Sequence, residues 1–170
     1  MMKDKDAFVA VLMGSDSDLP VMQATLDVLD KFAVAKEVRI TSAHRTPALT
    51  HAYVKDAEER GCKVFIAAAG LAAHLAGTVA GLTVKPVIGV PMDAGPLNGF
   101  DALLSTVQMP GGIPVASVAI GKAGAVNAGY LAVQILAHDD TKLTHKLLQE
   151  REKNQQAIQE KNQSVQQKIK

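Results

Sequence analysis

The chain has no tryptophan, two tyrosines and four phenylalanines among its 170 residues. Proteins that grip single-stranded nucleic acid stack bases on aromatic rings, and this composition supplies few of them. Its charges nearly cancel, with 18 Lys and Arg against 17 Asp and Glu. That balance leaves no general field for a polyanion, so no nucleic-acid partner is expected. The single cysteine, Cys62, excludes a disulfide or a thiolate metal cluster within one chain. It points to a reducing setting, the cytoplasm. No apolar run reaches the length of a membrane span. The longest candidate, Val64 to Val84, is broken by Gly70, His74, Gly77 and Gly81. The opening stretch from Met1 to Asp6 is charged and is followed by no h-region, so neither a secretory signal nor membrane attachment is expected.

What is present is a soluble globular composition, 48% hydrophobic and 21% charged, long enough to bury one proper core. Phe8 to Met13 is a continuous apolar run ended by Gly14, the pattern of a strand buried on both faces. Met22, Leu26, Leu29 and Phe32 recur at helical spacing after Pro20. Further strands are expected at Lys36–Thr41, Lys63–Ala69, Lys85–Val90 and Pro114–Ile120. Helices are expected at Pro47–Arg60, Leu71 to about Gly81, Phe100–Gln108 and Ala123–His138. Gly61 fits the left-handed stop of the second helix. Such alternation builds an α/β domain with a parallel sheet and right-handed crossovers. The whole chain, 1–170, reads as one domain: a core of about 7–138 and a tail of about 140–170. The tail is polar and contains no Gly or Pro. It reads as a long helix whose sparse apolar residues dock on a neighbour.

Candidate chemistry collects where strands end. The run Ser42-Ala43-His44-Arg45-Thr46-Pro47 puts a hydroxyl, an imidazole and a guanidinium at the carboxyl end of a strand. In open α/β sheets that edge binds ligands. Thr46 and Pro47 fit an N-cap and first helical position, but capping does not account for His44 and Arg45. Gly14-Ser15-Asp16-Ser17-Asp18 follows the first strand. Its turn, hydroxyls and free N–H groups suit a phosphate, and it equally fits helix capping by Ser17 or Asp18. It is neither a Walker loop nor a dinucleotide fingerprint. Gly70-Leu71-Ala72-Ala73-His74-Leu75-Ala76-Gly77 follows the third strand. Small residues there allow close approach of a ligand or tight helix packing. The loop Gln108–Pro114 could cover a site or form a subunit contact. His51, His138, His145 and Cys62 read as solvated, capping or packing residues, and no metal-ligand spacing is present.

These blocks, with Val107-Gln108-Met109-Pro110 to Val115 and Ala119-Ile120-Gly121-Lys122-Ala123-Gly124, occur in an order that closely resembles the class I PurE family. The resemblance runs from about Phe8 to His138. It implies a three-layer α/β/α domain of flavodoxin-like type, here with a C-terminal helical extension, assembled as a homo-octamer. It implies conversion of the small ribonucleotide N5-carboxyaminoimidazole ribonucleotide (N5-CAIR) to 4-carboxy-5-aminoimidazole ribonucleotide (CAIR) in purine biosynthesis. No cofactor, ATP or metal is implied. By residue, it places the substrate's phosphate and ribose at Ser15, Asp18, Ser42 and Arg45. It makes His44 the proton carrier and sets Gly70, Ala73, His74 and Leu75 against the aminoimidazole and the migrating carboxylate. Two readings compete with this one. The first is direct carboxylation of aminoimidazole ribonucleotide by CO2, a branch that typically has Lys in place of Arg45. The second is a flavodoxin-like module that binds a nucleotide without turnover. Three features depart from the family pattern: Ala76 where Pro is frequent, the loop Met92–Leu97, and the long polar tail.

Overall fold

The computed structural model describes residues 7–169. The charged start, on which the expectation of no leader rests, lies outside them. Five strands form one parallel sheet in the order β2-β1-β3-β4-β5. They are β1 Phe8–Met13, β2 Ala35–Ile40, β3 Cys62–Ala69, β4 Val87–Pro91 and β5 Ala116–Ser117. The helices are α1 Leu19–Lys31, α2 Pro47–Arg60, α3 Leu75–Ala80, α4 Phe100–Val107, α5 Gly121–Ala137 and α6 Thr141–Lys168. This order is the flavodoxin-like one, and the chain reverses direction across the sheet between β1 and β3.

The strand period of two divides the core. Val9, Val11 and Met13 point to one face, where they join Ile66, Ile88 and residues of α1 and α5. Phe8, Ala10 and Leu12 point to the other, where they meet Phe65, Tyr53 and Val54 of α2 and Leu75 and Val79 of α3. β1 and β3 lie in the middle of the sheet, and their apolar runs are buried on both faces. Gly89 of β4 opens the second face to α4. A Cβ there would lie 2.3 Å from Thr106 Cγ2 and 2.9 Å from Val115 Cγ1.

Three elements depart from the sequence reading. β5 is two residues long, not seven: Ala116 and Ser117 stand opposite Ile88 and Gly89, and the Val118 N–H adds one bond to the Gly89 carbonyl at 3.1 Å. Pro114, at the start of the expected strand, offers no N–H to a ladder, so β5 begins later. α3 begins at Leu75, not Leu71, because Leu71 sits in the left-handed region at φ 55, where a helix cannot start. The tail is helical, as expected, but its first turns dock on this chain's own core. Leu143 and Leu147 pack on the α1–α5 face. Lys31 and Tyr130 both bond the Glu150 carboxylate, and Lys146 Nζ donates to the Phe32 carbonyl at 3.2 Å. Beyond Glu150 every described residue of α6 is exposed. No helix among the described residues is long and apolar enough to cross a membrane.

Candidate active site

Parallel strands deliver their outgoing loops to one edge. Backbone bonds continue the ladder past the strands and hold those loops side by side. Gly14 N–H donates to the Ala68 carbonyl (3.0 Å), Thr41 N–H to Met13 (2.9 Å) and Met92 N–H to Ala69 (3.0 Å). Between the loops lies a cavity of about 450 Å³. The loops after β1, β2, β3 and β4 all line it.

The loop after β1 is built round a single 3-10 turn, Asp16–Asp18, capped by Ser15. Ser15 Oγ accepts the Ser17 N–H at 3.3 Å, and the Ser15 N–H donates to Asp18 Oδ2 at 3.2 Å. Ser15 caps this turn and the Asp18 side chain folds back to complete a capping box, while Asp18 also holds the backbone N-cap position of α1. α1, which follows, has no side-chain cap. Asp18 is only 7% exposed. Burial pushes its carboxyl above the ordinary carboxylate range, the Ser15 N–H opposes that shift, and the neighbouring Asp16 adds to it.

The loop after β2 turns sharply. Thr46 N–H donates to the Ser42 carbonyl at 3.0 Å. Ser42 Oγ accepts the backbone N–H groups of His44 (3.3 Å) and Arg45 (3.1 Å). Ser42 can still donate its own proton to an anion. Arg45 Nη2–H donates to the Gly14 carbonyl at 2.7 Å, which ties this loop to the first. The rest of its donor fork remains for a phosphate or carboxylate. His44 Nε2 lies 2.8 Å from His74 Nδ1, and the two rings meet edge to face at 76°. At that distance one nitrogen donates and the other accepts, so each imidazole constrains the other's tautomer. Thr46 has the backbone place of an N-cap, but its side chain makes no capping bond to α2.

The loop after β3 carries His74 at the start of α3. Two tight turns hold it: Ala73 N–H donates to the Leu71 carbonyl and His74 N–H to Ala72, each at 2.8 Å. Leu71, at φ 55 and half exposed, holds strained backbone at the cavity wall. Among the described residues, no group of three or more His, Cys, Asp or Glu could hold a metal ion.

A model described as AIR carboxylase matches residues 8–157. The chain belongs to the AIR carboxylase family. An N5-carboxyaminoimidazole ribonucleotide mutase of Bacillus subtilis is 53% identical over 150 residues, which cover 88% of this chain and 93% of that one. The mutase of the same name from Thermotoga maritima is 50% identical over 159 residues, covering 94% and 92%. The crystal structure of Treponema denticola PurE superposes with a TM-score of 0.82 at 30% identity, covering 91% of this chain and 95% of that chain. The AIR carboxylase match includes all four loops of the cavity and stops before the last turns of α6.

Within this family fold, Ser15, Asp18, Ser42, His44, Arg45, Gly70, His74 and Leu75 all line the one cavity. Ala73 does not. It is 1% exposed and packs into the fold, because the two turns round it aim Ala72 and His74 outward instead. Ala76, which stands where the family frequently has Pro, is buried inside α3 beneath Gly89. Ala94 lines the cavity and was not anticipated. Its loop follows β4, but an alanine carries no chemical signal, and only the fold shows that a Cβ on Gly70 would come within 3.0 Å of it.

Proposed function

We propose that this protein is an N5-carboxyaminoimidazole ribonucleotide mutase that converts N5-CAIR to CAIR in purine biosynthesis. The observation that carries the reading is one cavity in which Arg45, Ser15 and Ser42 stand beside two imidazoles 2.8 Å apart. Relatives bearing the mutase name, at about half identity over most of both chains, support it.

The chemistry follows from the residues. Arg45, with the Ser15 and Ser42 hydroxyls, binds the 5′-phosphate, and Asp18 accepts hydrogen bonds from the ribose diol. Binding energy from the phosphate is remote from the reacting atoms and holds the aminoimidazole against His44. His44 in its protonated form gives its proton to the exocyclic nitrogen as the N–C bond breaks and CO2 leaves. The freed aminoimidazole attacks CO2 through C4, and the neutral His44 removes the C4 proton. Ring aromaticity returns and His44 ends protonated, so no net proton is consumed. His74 orients the His44 ring. The small residues Ala69, Gly70 and Ala72 in the cavity wall leave room for CO2 beside C4.

A homo-octamer in the cytoplasm accompanies this reading. Exposed Val38 and Ile40 on edge strand β2, and Phe100, Leu104 and Val107 on α4, offer apolar surface for subunit contacts. Ile158 and Val165 of α6, and Ile169 just past its end, do the same beyond the core.

The family's description, AIR carboxylase, favours one rival: direct carboxylation of aminoimidazole ribonucleotide. A product assay on the purified protein, free of ATP and metal, separates them. One reaction offers fresh N5-CAIR, the other aminoimidazole ribonucleotide with bicarbonate. Rapid CAIR formation from N5-CAIR alone is the expected result. Efficient formation from the second pair at low bicarbonate makes the protein a carboxylase, and binding without turnover leaves a nucleotide-binding module.

A further inference from the structure

Three threonines lie behind the loop that presents His44 and Arg45, and none of them lines the cavity. Thr41 and Thr50 are buried, and Thr46 is partly buried. Thr41 Oγ1 is 2.6 Å from Thr50 Oγ1. Thr50 Oγ1 is 3.2 Å from the Thr46 carbonyl, and Thr46 Oγ1 is 3.2 Å from the Ser42 carbonyl. The Ser42 N–H donates to Thr46 Oγ1 at 2.9 Å.

A hydroxyl has one proton to give and two lone pairs to accept with. One arrangement uses all three protons: Thr41 donates to Thr50, Thr50 to the Thr46 carbonyl, and Thr46 to the Ser42 carbonyl. Thr46 then grips both the N–H and the C=O of Ser42. Ser42 Oγ in turn fixes the N–H groups of His44 and Arg45. The Thr46 side chain makes no cap on α2, so its hydroxyl serves the loop and not the helix.

We propose that Thr46 is a positioning residue for His44, acting through Ser42 and braced by Thr41 and Thr50. This rests on the mutase reading, in which His44 carries the proton. Arg45 has an anchor outside the turn, the Gly14 carbonyl. His44's anchor outside the turn is a side chain, the exposed ring of His74, and not backbone held in the ladder as Gly14 is. Loosening Thr46 therefore displaces the proton carrier more than the phosphate clamp, and kcat suffers more than KM.

The test uses the full chain with Thr46→Val, Thr46→Ser and Thr46→Asp. Valine keeps the shape and removes the hydroxyl. Serine keeps the hydroxyl. Aspartate is a better helix cap than threonine but cannot donate to the Ser42 carbonyl. Misplacement of a reacting group by about 1 Å costs on the order of a hundredfold in rate. Thr46→Val and Thr46→Asp are expected to lose roughly ten- to a hundredfold in kcat with a smaller change in KM, and Thr46→Ser to stay within about threefold of wild type. Should the valine variant not fold, the aspartate variant carries the same comparison. Wild-type kcat in either variant overturns the proposal, because a capping role alone predicts an active aspartate.

A second readout does not depend on turnover. The ring 15N resonances of His44 and His74 are expected to shift in Thr46→Val and Thr46→Asp, while those of His51, His138 and His145 stay in place. Unmoved rings overturn the proposal whatever the kinetics show. If wild-type protein turns over no N5-CAIR, the mutase reading fails and the ring spectra alone decide the role of Thr46.

Discussion

Asp18 is the one carboxylate in the cavity wall that is buried, and replacing it with asparagine separates its two effects. The Asn carbonyl oxygen can still accept the Ser15 N–H, so the capping box survives. What is lost is the charge. A hydrogen bond to a charged acceptor contributes about 1.5–3 kcal/mol, against about 0.5–1.5 kcal/mol for a neutral one. With part of Asp18's acceptor capacity taken by Ser15 and the rest free for a ribose diol, Asp18→Asn should raise KM by roughly tenfold, since about 1.4 kcal/mol is one decade. The same charge acts on stability in the opposite direction. Burial raises the folded-state pKa of Asp18 above its ordinary value of 3.8, so the folded protein holds this proton more tightly than the unfolded chain. Between the two values the native state carries more protons, and its stability falls as pH rises through that window. Above the window the ionised, buried carboxylate is a standing cost that asparagine removes. Wild type and Asp18→Asn should therefore unfold at similar urea concentrations near pH 3.5, with the variant more stable at pH 7. Urea titrations from pH 3.5 to 8, paired with KM for N5-CAIR at each pH, measure both effects. A variant no more stable than wild type at pH 7 refutes the burial argument, and an unchanged KM removes Asp18 from the ribose.

Three further outcomes are expected. His44→Asn should still bind the nucleotide, measured by equilibrium dialysis, but lose about 10²–10⁴-fold in kcat, the usual share of a general acid–base. Arg45→Ala should mainly raise KM, by roughly ten- to a hundredfold through the loss of charge-assisted bonds, and an unchanged KM would place the phosphate elsewhere. Gly89→Ala drives a methyl against Thr106, whose rotamer is held by a 2.7 Å bond to the Ala102 carbonyl. Overpacking of about 1–3 kcal/mol should lower the thermal midpoint by several degrees in differential scanning calorimetry, with the cavity itself untouched.

The sheet was legible because its central strands are continuous apolar runs, and a strand buried on both faces leaves that trace in any sequence. β5 was not, since Val115, Val118 and Ile120 look like strand while the ladder ends with the Val118 N–H bond to Gly89. The cavity was legible wherever a residue carries chemistry, as at His44, Arg45 and His74, and at strand ends, where topology forces loops together. It was not legible where geometry alone decides. Leu71 adopts a positive φ that no leucine announces, and the turns it begins withdraw Ala73 from the cavity. Thr46 has the sequence position of a helix cap, and only the bonds to Ser42 show that its hydroxyl faces the other way along the chain. In the tail, Leu143 and Leu147 are too sparse to announce a core contact, and the cluster they pack on is assembled from residues as distant in sequence as Val9 and Val28.

The cavity wall is shared by four strand ends whose residues run from Gly14 to Ala94. No local fragment of the chain contains it. Parallel pairing of this kind joins segments distant in sequence and forms slowly, so during refolding a competent pocket exists only after β1, β2, β3 and β4 have all found their places. Return of activity then clocks the last stage of sheet assembly, not the first collapse. A ribonucleotide that recognises the finished pocket behaves as a removable cross-link between four strands. It adds to the native state's stability in proportion to the logarithm of its concentration, and it protects the whole sheet edge together rather than any one loop.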